Sequence, residues 1–154
     1  MRTAFWRHPD FFLYWLPPLV WGGAILVMSG DLCSSPNTLM LLKWVLSWFP
    51  PLTPGQIAAI HFYLRKTGHA VAYAILALLW LRALRGSLGL SPKRSFSLTL
   101  GFCLIFAALD EGHQYFLPSR TGSLWDVALD LSGSGLVALL TLAAGRPRPK
   151  TLAP

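Results

Sequence analysis

The fold is decided by residues 107–130, AALDEGHQYFLPSRTGSLWDVALD. Four of the chain's six acidic residues, Asp110, Glu111, Asp126 and Asp130, fall within this stretch. On its N-terminal side runs FSLTLGFCLIFAA (96–108), and on its C-terminal side LSGSGLVALLTLAAG (131–145). Both flanks are long and apolar enough to suggest lipid-crossing helices. Charged groups at the ends of such helices are stable only when they face the interior of a bundle and find partners.

The whole chain supports that setting. It has 154 residues, 54% hydrophobic and 12% charged, with a mean hydropathy of +0.51. A soluble domain typically carries about twice that share of charge. The length fits one domain covering 1–154. The formal net charge of +7 invites a nucleic-acid reading, but the basic residues are dispersed among apolar runs and leave no basic face to follow phosphates. No nucleic-acid partner is expected; anionic lipid headgroups are the fitting counter-charge. Cys33 and Cys103 have no paired spacing, so neither a disulfide framework nor a thiolate metal site is indicated. The basic start and the following apolar run resemble a secretory signal. That run exceeds a signal's usual apolar core and no small-x-small cleavage site follows, so a retained first membrane helix is expected.

A spanning helix needs roughly 20 mostly apolar residues. Four segments qualify: Phe11–Met28, about Gly68–Leu84, about Phe96–Leu109 and about Trp125–Ala144. The expected fold is all-α, a polytopic four-helix membrane bundle, with Pro17–Pro18 kinking the first span. Between the first two spans, TLMLLKWVLSWF (38–49) is apolar with tryptophans and reads as an outer interfacial or re-entrant helix. Thr53-Pro54-Gly55-Gln56 then reads as a capping box with proline at the first helical position. A helix begun there can run directly into the second span.

Orientation follows from the basic residues. Arg2, Arg7, Arg82, Arg85, Lys93, Arg94, Arg146, Arg148 and Lys150 lie on one side, against Lys43, Arg65, Lys66 and Arg120 on the other. Both termini are therefore expected in the cytoplasm, with 29–67 and 110–124 outside.

Counting from the basic anchors, Lys66, Asp110 and Asp130 each lie 16 residues away, at Arg82, Arg94 and Arg146 respectively. Such a segment rises about 24 Å, which places three helices' charged groups at one level near the outer boundary. Lys66, His69 and Tyr73 share a helix stripe, as do Asp126, Asp130 and Gly133, and Asp110 and Gln114 are four apart. These groups are expected to converge on a hydrated cavity open to the outer side.

At these residues the chain resembles the VanZ-like family of small bacterial membrane proteins. The pattern is Lys66-x-x-His69, Asp110-Glu111-x-x-Gln114, Pro118-x-Arg120, Gly122-Ser123, Asp126-Val127 and the glycines Gly133 and Gly135, with Trp21 and Met28-Ser29 at the first span. It extends over about 12–142. Asp130 is a departure, standing where that family leads one to expect an amide such as asparagine. The resemblance implies a multi-pass protein of the bacterial inner membrane, and its founding member is associated with resistance to teicoplanin-type glycopeptides.

Adjacent helical residues such as Asp110 and Glu111 point about 100° apart, so the two are not expected to face one cavity equally. One is the expected proton-transfer group and the other a partner of Arg120 or Lys66. A partly desolvated carboxyl can act as an acid near neutral pH. The candidate catalytic set is Asp110, Glu111, His69 and Asp126; the candidate substrate-binding set is Lys66, Gln114, Arg120, Asp130 and Tyr73. His69 with the carboxylates could ligate a divalent cation, but the spacing matches no standard ligand signature, so no metal and no cofactor is expected. Ser123 reads as a helix cap, the small residues 132–135 as close helix packing, and His8 and His61 as solvated or interfacial.

Three functions fit. One is a membrane-embedded hydrolase or transferase acting by carboxylate acid/base chemistry on a lipid-linked or other envelope substrate. The second is a non-catalytic binder of lipid headgroups or lipoglycopeptides, with the charged cluster partly structural. The third, a proton-coupled transporter, is weakened because nothing polar continues to the cytoplasmic side.

Overall fold

A computed structural model describes residues 11–118 and 122–144. Among them are five α-helices and no strand. A π-helical turn, Phe11–Trp15, leads into α1 (Leu16–Met28), and a 3-10 turn at Asp31–Cys33 precedes α2 (Ser35–Leu46). The rest of the described chain is α3 (Pro54–Gly86), α4 (Pro92–Tyr115) and α5 (Leu124–Ala144).

Proline opens four of these helices, each time within the first two positions, where its missing N–H would have had no intrahelical acceptor. This accounts for a difference from the expected kink. Pro17 and Pro18 fall in the first α-helical turn of α1 rather than mid-span, and the irregular backbone lies just upstream, in the π-helical turn. The capping box is present in full. Thr53 Oγ1 accepts from the Gln56 N–H at 3.3 Å, and Gln56 Oε1 accepts from the Thr53 N–H at 2.8 Å. With both ends of the first turn fixed, α3 runs 33 residues without interruption, about 50 Å. That exceeds a hydrocarbon core of about 30 Å.

Three helices, α3, α4 and α5, are long and apolar enough to cross a membrane. The fourth expected span corresponds to a shorter apolar helix, Phe12–Met28. The expected helix at 38–49 is met by α2, which begins three residues earlier. It has no buried residue and exposes Met40, Leu41 and Trp44. Its tie to α3 is a 2.9 Å hydrogen bond between Thr38 Oγ1 and His61 Nε2. His61 is thereby buried, a correction to its reading as a solvated or interfacial side chain.

The bundle is organised around α3, which packs most extensively on α5 and also contacts α4, α1 and α2. Its core is Ile25, Tyr73, Leu76, Ala77, Trp80, Cys103 and Ala107. Trp80 stacks on Phe102 with centroids 4.2 Å apart, and the Trp21 indole N–H donates to the Ala72 carbonyl at 2.9 Å. The tightest crossing lies between α3 and α5. A Cβ on Gly133 would collide with the Ala70 carbonyl oxygen and come within 3.0 Å of its carbonyl carbon. One residue on, Ser134 Oγ donates to the carbonyls of Asp130 and Tyr73 at 3.0 and 3.3 Å. Small residues allow backbones to approach this closely in a membrane bundle. Only part of 132–135 serves that end, because Ser132 is exposed and Gly135 has open space beside it.

Candidate functional site

The Gly133–Ala70 contact sits one turn from Asp130 and next to His69, and it brings those two side chains together. His69 Nδ1 and Asp130 Oδ1 are 3.2 Å apart. Asp130 is fully buried, and its other oxygen, Oδ2, has no hydrogen-bond partner among the described residues. One turn back along both helices, Lys66 pairs with Asp126. This second pair is wetter, with side-chain exposures of 34% and 15%.

The carboxylates of α4 complete the cluster. Asp110 and Glu111 are both buried. With His69 and Asp130 they offer one ligand atom each, all within 4.8 Å of one another. The adjacent pair does not face the cavity equally, since Asp110 lines it and Glu111 does not, yet both reach the cluster. Because α4 is flanked by both α3 and α5, two directions from it lead inwards, and the longer glutamate side chain closes the remaining gap. Gln114 reaches both carboxylates, its Nε2 lying 3.4 Å from Asp110 Oδ2 and 3.5 Å from Glu111 Oε1. The Ser123 backbone N–H donates to Glu111 Oε2 at 2.6 Å.

That last bond depends on how the chain turns from α4 into α5. Gly122 lies so close to α4 that a Cβ there would stand 2.7 Å from the Glu111 carbonyl oxygen. Ser123 does cap α5, its Oγ accepting from the Trp125 N–H at 3.2 Å. Its own N–H is thus free to serve Glu111. Short polar donors aimed at a buried carboxylate fix its rotamer and stabilise its ionised form.

A cavity of about 240 Å³ adjoins the cluster. His69, Tyr73 and Asp110 line it, as do Ser29 and Thr38, and Ile25, Met28 and Ala72 contribute apolar wall. Tyr73 is fully buried, and its hydroxyl has no hydrogen-bond partner among the described residues. Arg65 also lines the cavity, with Nη1 buried and without a hydrogen bond among the described residues.

Of the nine residues singled out from sequence, His69, Asp110, Glu111 and Asp130 form the cluster, with Gln114 bonded to it and Tyr73 beside it. Asp126 and Lys66 form the adjoining pair, outside the four-atom group. Arg120 lies outside the described residues. Sequence reasoning missed Arg65 and the Ser123 N–H. Arg65 was legible in principle, since it is four residues before His69 and shares its helix face. The backbone donor carries no sequence signal beyond the glycine that precedes it.

The VanZ/LLP1 family model matches residues 19–145, and the chain belongs to that family. No curated protein and no solved structure matches the chain significantly.

Proposed function

We propose that this VanZ/LLP1-family membrane protein is a multi-pass protein of the bacterial inner membrane that acts on a lipid-linked cell-envelope substrate by carboxylate acid/base chemistry. Four passes with both ends in the cytoplasm set the cluster near the outer leaflet. The observation that carries the reading is the convergence of His69, Asp110, Glu111 and Asp130 within 4.8 Å, two of which, His69 and Asp110, line a largely apolar cavity. An acyl or prenyl chain fits the wall of Ile25, Met28 and Ala72, and Arg65 offers a charge for an anionic group near the membrane surface. Glu111 is the chosen proton-transfer group. It takes a proton from the attacking water or hydroxyl, or delivers one to the leaving oxygen, while His69 and Asp130 serve as a coupled second pair. A link to tolerance of teicoplanin-type glycopeptides fits the family and such a substrate.

Arg65 in the cavity favours a second reading, capture of an anionic lipid or lipoglycopeptide without turnover. The two part in one experiment. Parent, Glu111→Gln and Arg65→Gln chains are reconstituted in vesicles of bacterial envelope lipid, and the lipids are followed by mass spectrometry. The enzymatic reading expects conversion of one lipid class by the parent only, with the substrate still bound to Glu111→Gln. Binding without conversion by any chain, weakest for Arg65→Gln, selects the capture reading. Folded chains that neither bind nor convert a lipid refute both.

A further inference from the structure

We propose that His69, Asp110, Glu111 and Asp130 bind one divalent metal ion of the Zn²⁺ or Mn²⁺ class. The proposal rests on the cluster being one site, and does not require it to be catalytic.

The first argument is distance. A four-coordinate ion held at about 2.1 Å keeps its ligands about 3.4 Å apart. The four donor atoms lie within 4.8 Å of one another, so side-chain rotations that draw the outermost donors in by about 1 Å close the shell. The 3.2 Å separation of His69 Nδ1 and Asp130 Oδ1 is a hydrogen-bond distance. It is equally the spacing of neighbouring ligands on one ion, about 3.0–3.4 Å for angles of 90–109° at those bond lengths.

The second argument is independent of the carboxylates. The Tyr73 hydroxyl is fully buried and lacks a hydrogen-bond partner among the described residues. It lines the cavity beside His69 and Asp110. Leaving such a group unsatisfied is costly, and an ion or its bound water supplies the missing partner. Asp130 Oδ2 has the same need. Buried polar atoms of this kind are where an ion belongs.

The surroundings fit an outer shell. Metal-bound carboxylates are normally held by further hydrogen bonds, and here Gln114 and the Ser123 N–H approach Asp110 and Glu111 from the side of α4 and the α4–α5 turn. One imidazole with three carboxylate oxygens suits an ion that accepts both nitrogen and oxygen, which selects Zn²⁺ or Mn²⁺ over Mg²⁺ or Ca²⁺.

The test uses the full chain in detergent, stripped with a chelator and re-equilibrated separately with Zn²⁺, Mn²⁺, Mg²⁺ and Ca²⁺. After desalting, bound metal is measured by mass spectrometry and the melting temperature is recorded. About one equivalent of Zn²⁺ or Mn²⁺ per chain is expected, with a raised melting temperature. His69→Gln and Asp130→Asn should weaken binding tenfold or more while eluting like the parent. Less than about a tenth of an equivalent in the parent, undiminished binding by both variants, or retention of Mg²⁺ or Ca²⁺ alone overturns the proposal. If both variants fail to fold, the parent's stoichiometry, with the Mn²⁺ electron-spin resonance spectrum of the bound ion, decides. Arg120 acting as the counter-ion would appear as a metal-free parent whose Arg120→Gln variant gains metal, which also overturns it. Metal bound with no lipid converted sinks the enzymatic reading and leaves this one standing. Conversion by a parent chain that retains no Zn²⁺ or Mn²⁺ after re-equilibration does the reverse.

Discussion

Adding one methyl group at Gly133 tests whether the α3–α5 crossing positions the site. Helix propensity alone would make Gly133→Ala stabilising by about 1 kcal/mol. The packing predicts the opposite sign. The new Cβ meets the Ala70 backbone, 3.0 Å from its carbonyl carbon and nearer still to its oxygen. Restoring ordinary contact requires α5 to recede by roughly 1 Å or more. That displacement stretches the 3.2 Å His69–Asp130 contact and the 3.3 Å Ser134–Tyr73 bond beyond hydrogen-bonding range. Overpacking costs about 1–3 kcal/mol and each intramembrane polar contact about 0.6–2 kcal/mol. Set against the propensity gain, the net loss is about 1–6 kcal/mol. The assay is reversible unfolding in mixed micelles, followed by tryptophan fluorescence. Gly135→Ala is the control, because nothing lies near that position, and it should match or slightly exceed the parent. A Gly133→Ala chain as stable as Gly135→Ala would refute the reasoning.

Further outcomes follow from other parts of the molecule. Asp126→Asn removes the Lys66 partner, but the pair is partly exposed, so stability should fall by less than about 1 kcal/mol; a loss of several would mean the pair is structural. Thr53→Ala removes one half of the capping box and should lower stability by about 1 kcal/mol, seen in the same unfolding assay; no change would mean the start of α3 frays without consequence. Cys33 is partly exposed and Cys103 fully buried. With both termini inside, a membrane-impermeant thiol reagent added outside intact cells should label Cys33 and leave Cys103 untouched. Labelling of Cys33 only after the cells are broken would reverse the topology.

Helical spacing made the grouping of the polar side chains more legible than the fold's details. Periodicity grouped Lys66, His69 and Tyr73, and likewise Asp126 and Asp130, because helical spacing alone dictates a shared face. The common distance from basic anchors set Asp110 level with Asp130, and the two meet in the cluster. The Thr53–Gln56 box was legible because capping is a local interaction. What resisted reading was tertiary. Whether Asp110 and Glu111 both turn inwards depends on having helices on two sides of α4, which no local rule supplies. Likewise Gly133 and Gly135 look alike in sequence, and only the crossing with Ala70 separates them. Pro17–Pro18 misled because the helix changes type just before the pair, and the burial of His61 required α2 to fold back beside α3.

The central claim is that the buried cluster serves a ligand rather than holding helices together, and the melting temperature of Glu111→Gln tests it most directly. Glutamine keeps the side chain's shape and can still accept from the Ser123 N–H, while removing a charge that is costly at membrane depth. A site kept for function gives up stability to hold such a charge. With both chains stripped of metal by a chelator, the account therefore predicts a melting temperature equal to the parent's or raised, within about 2 °C of it if unchanged, in a chain that no longer acts on its substrate. A fall of 5 °C or more, about 1–3 kcal/mol at this size, would contradict it and make Glu111 part of an ion cluster that pins α4 to its neighbours.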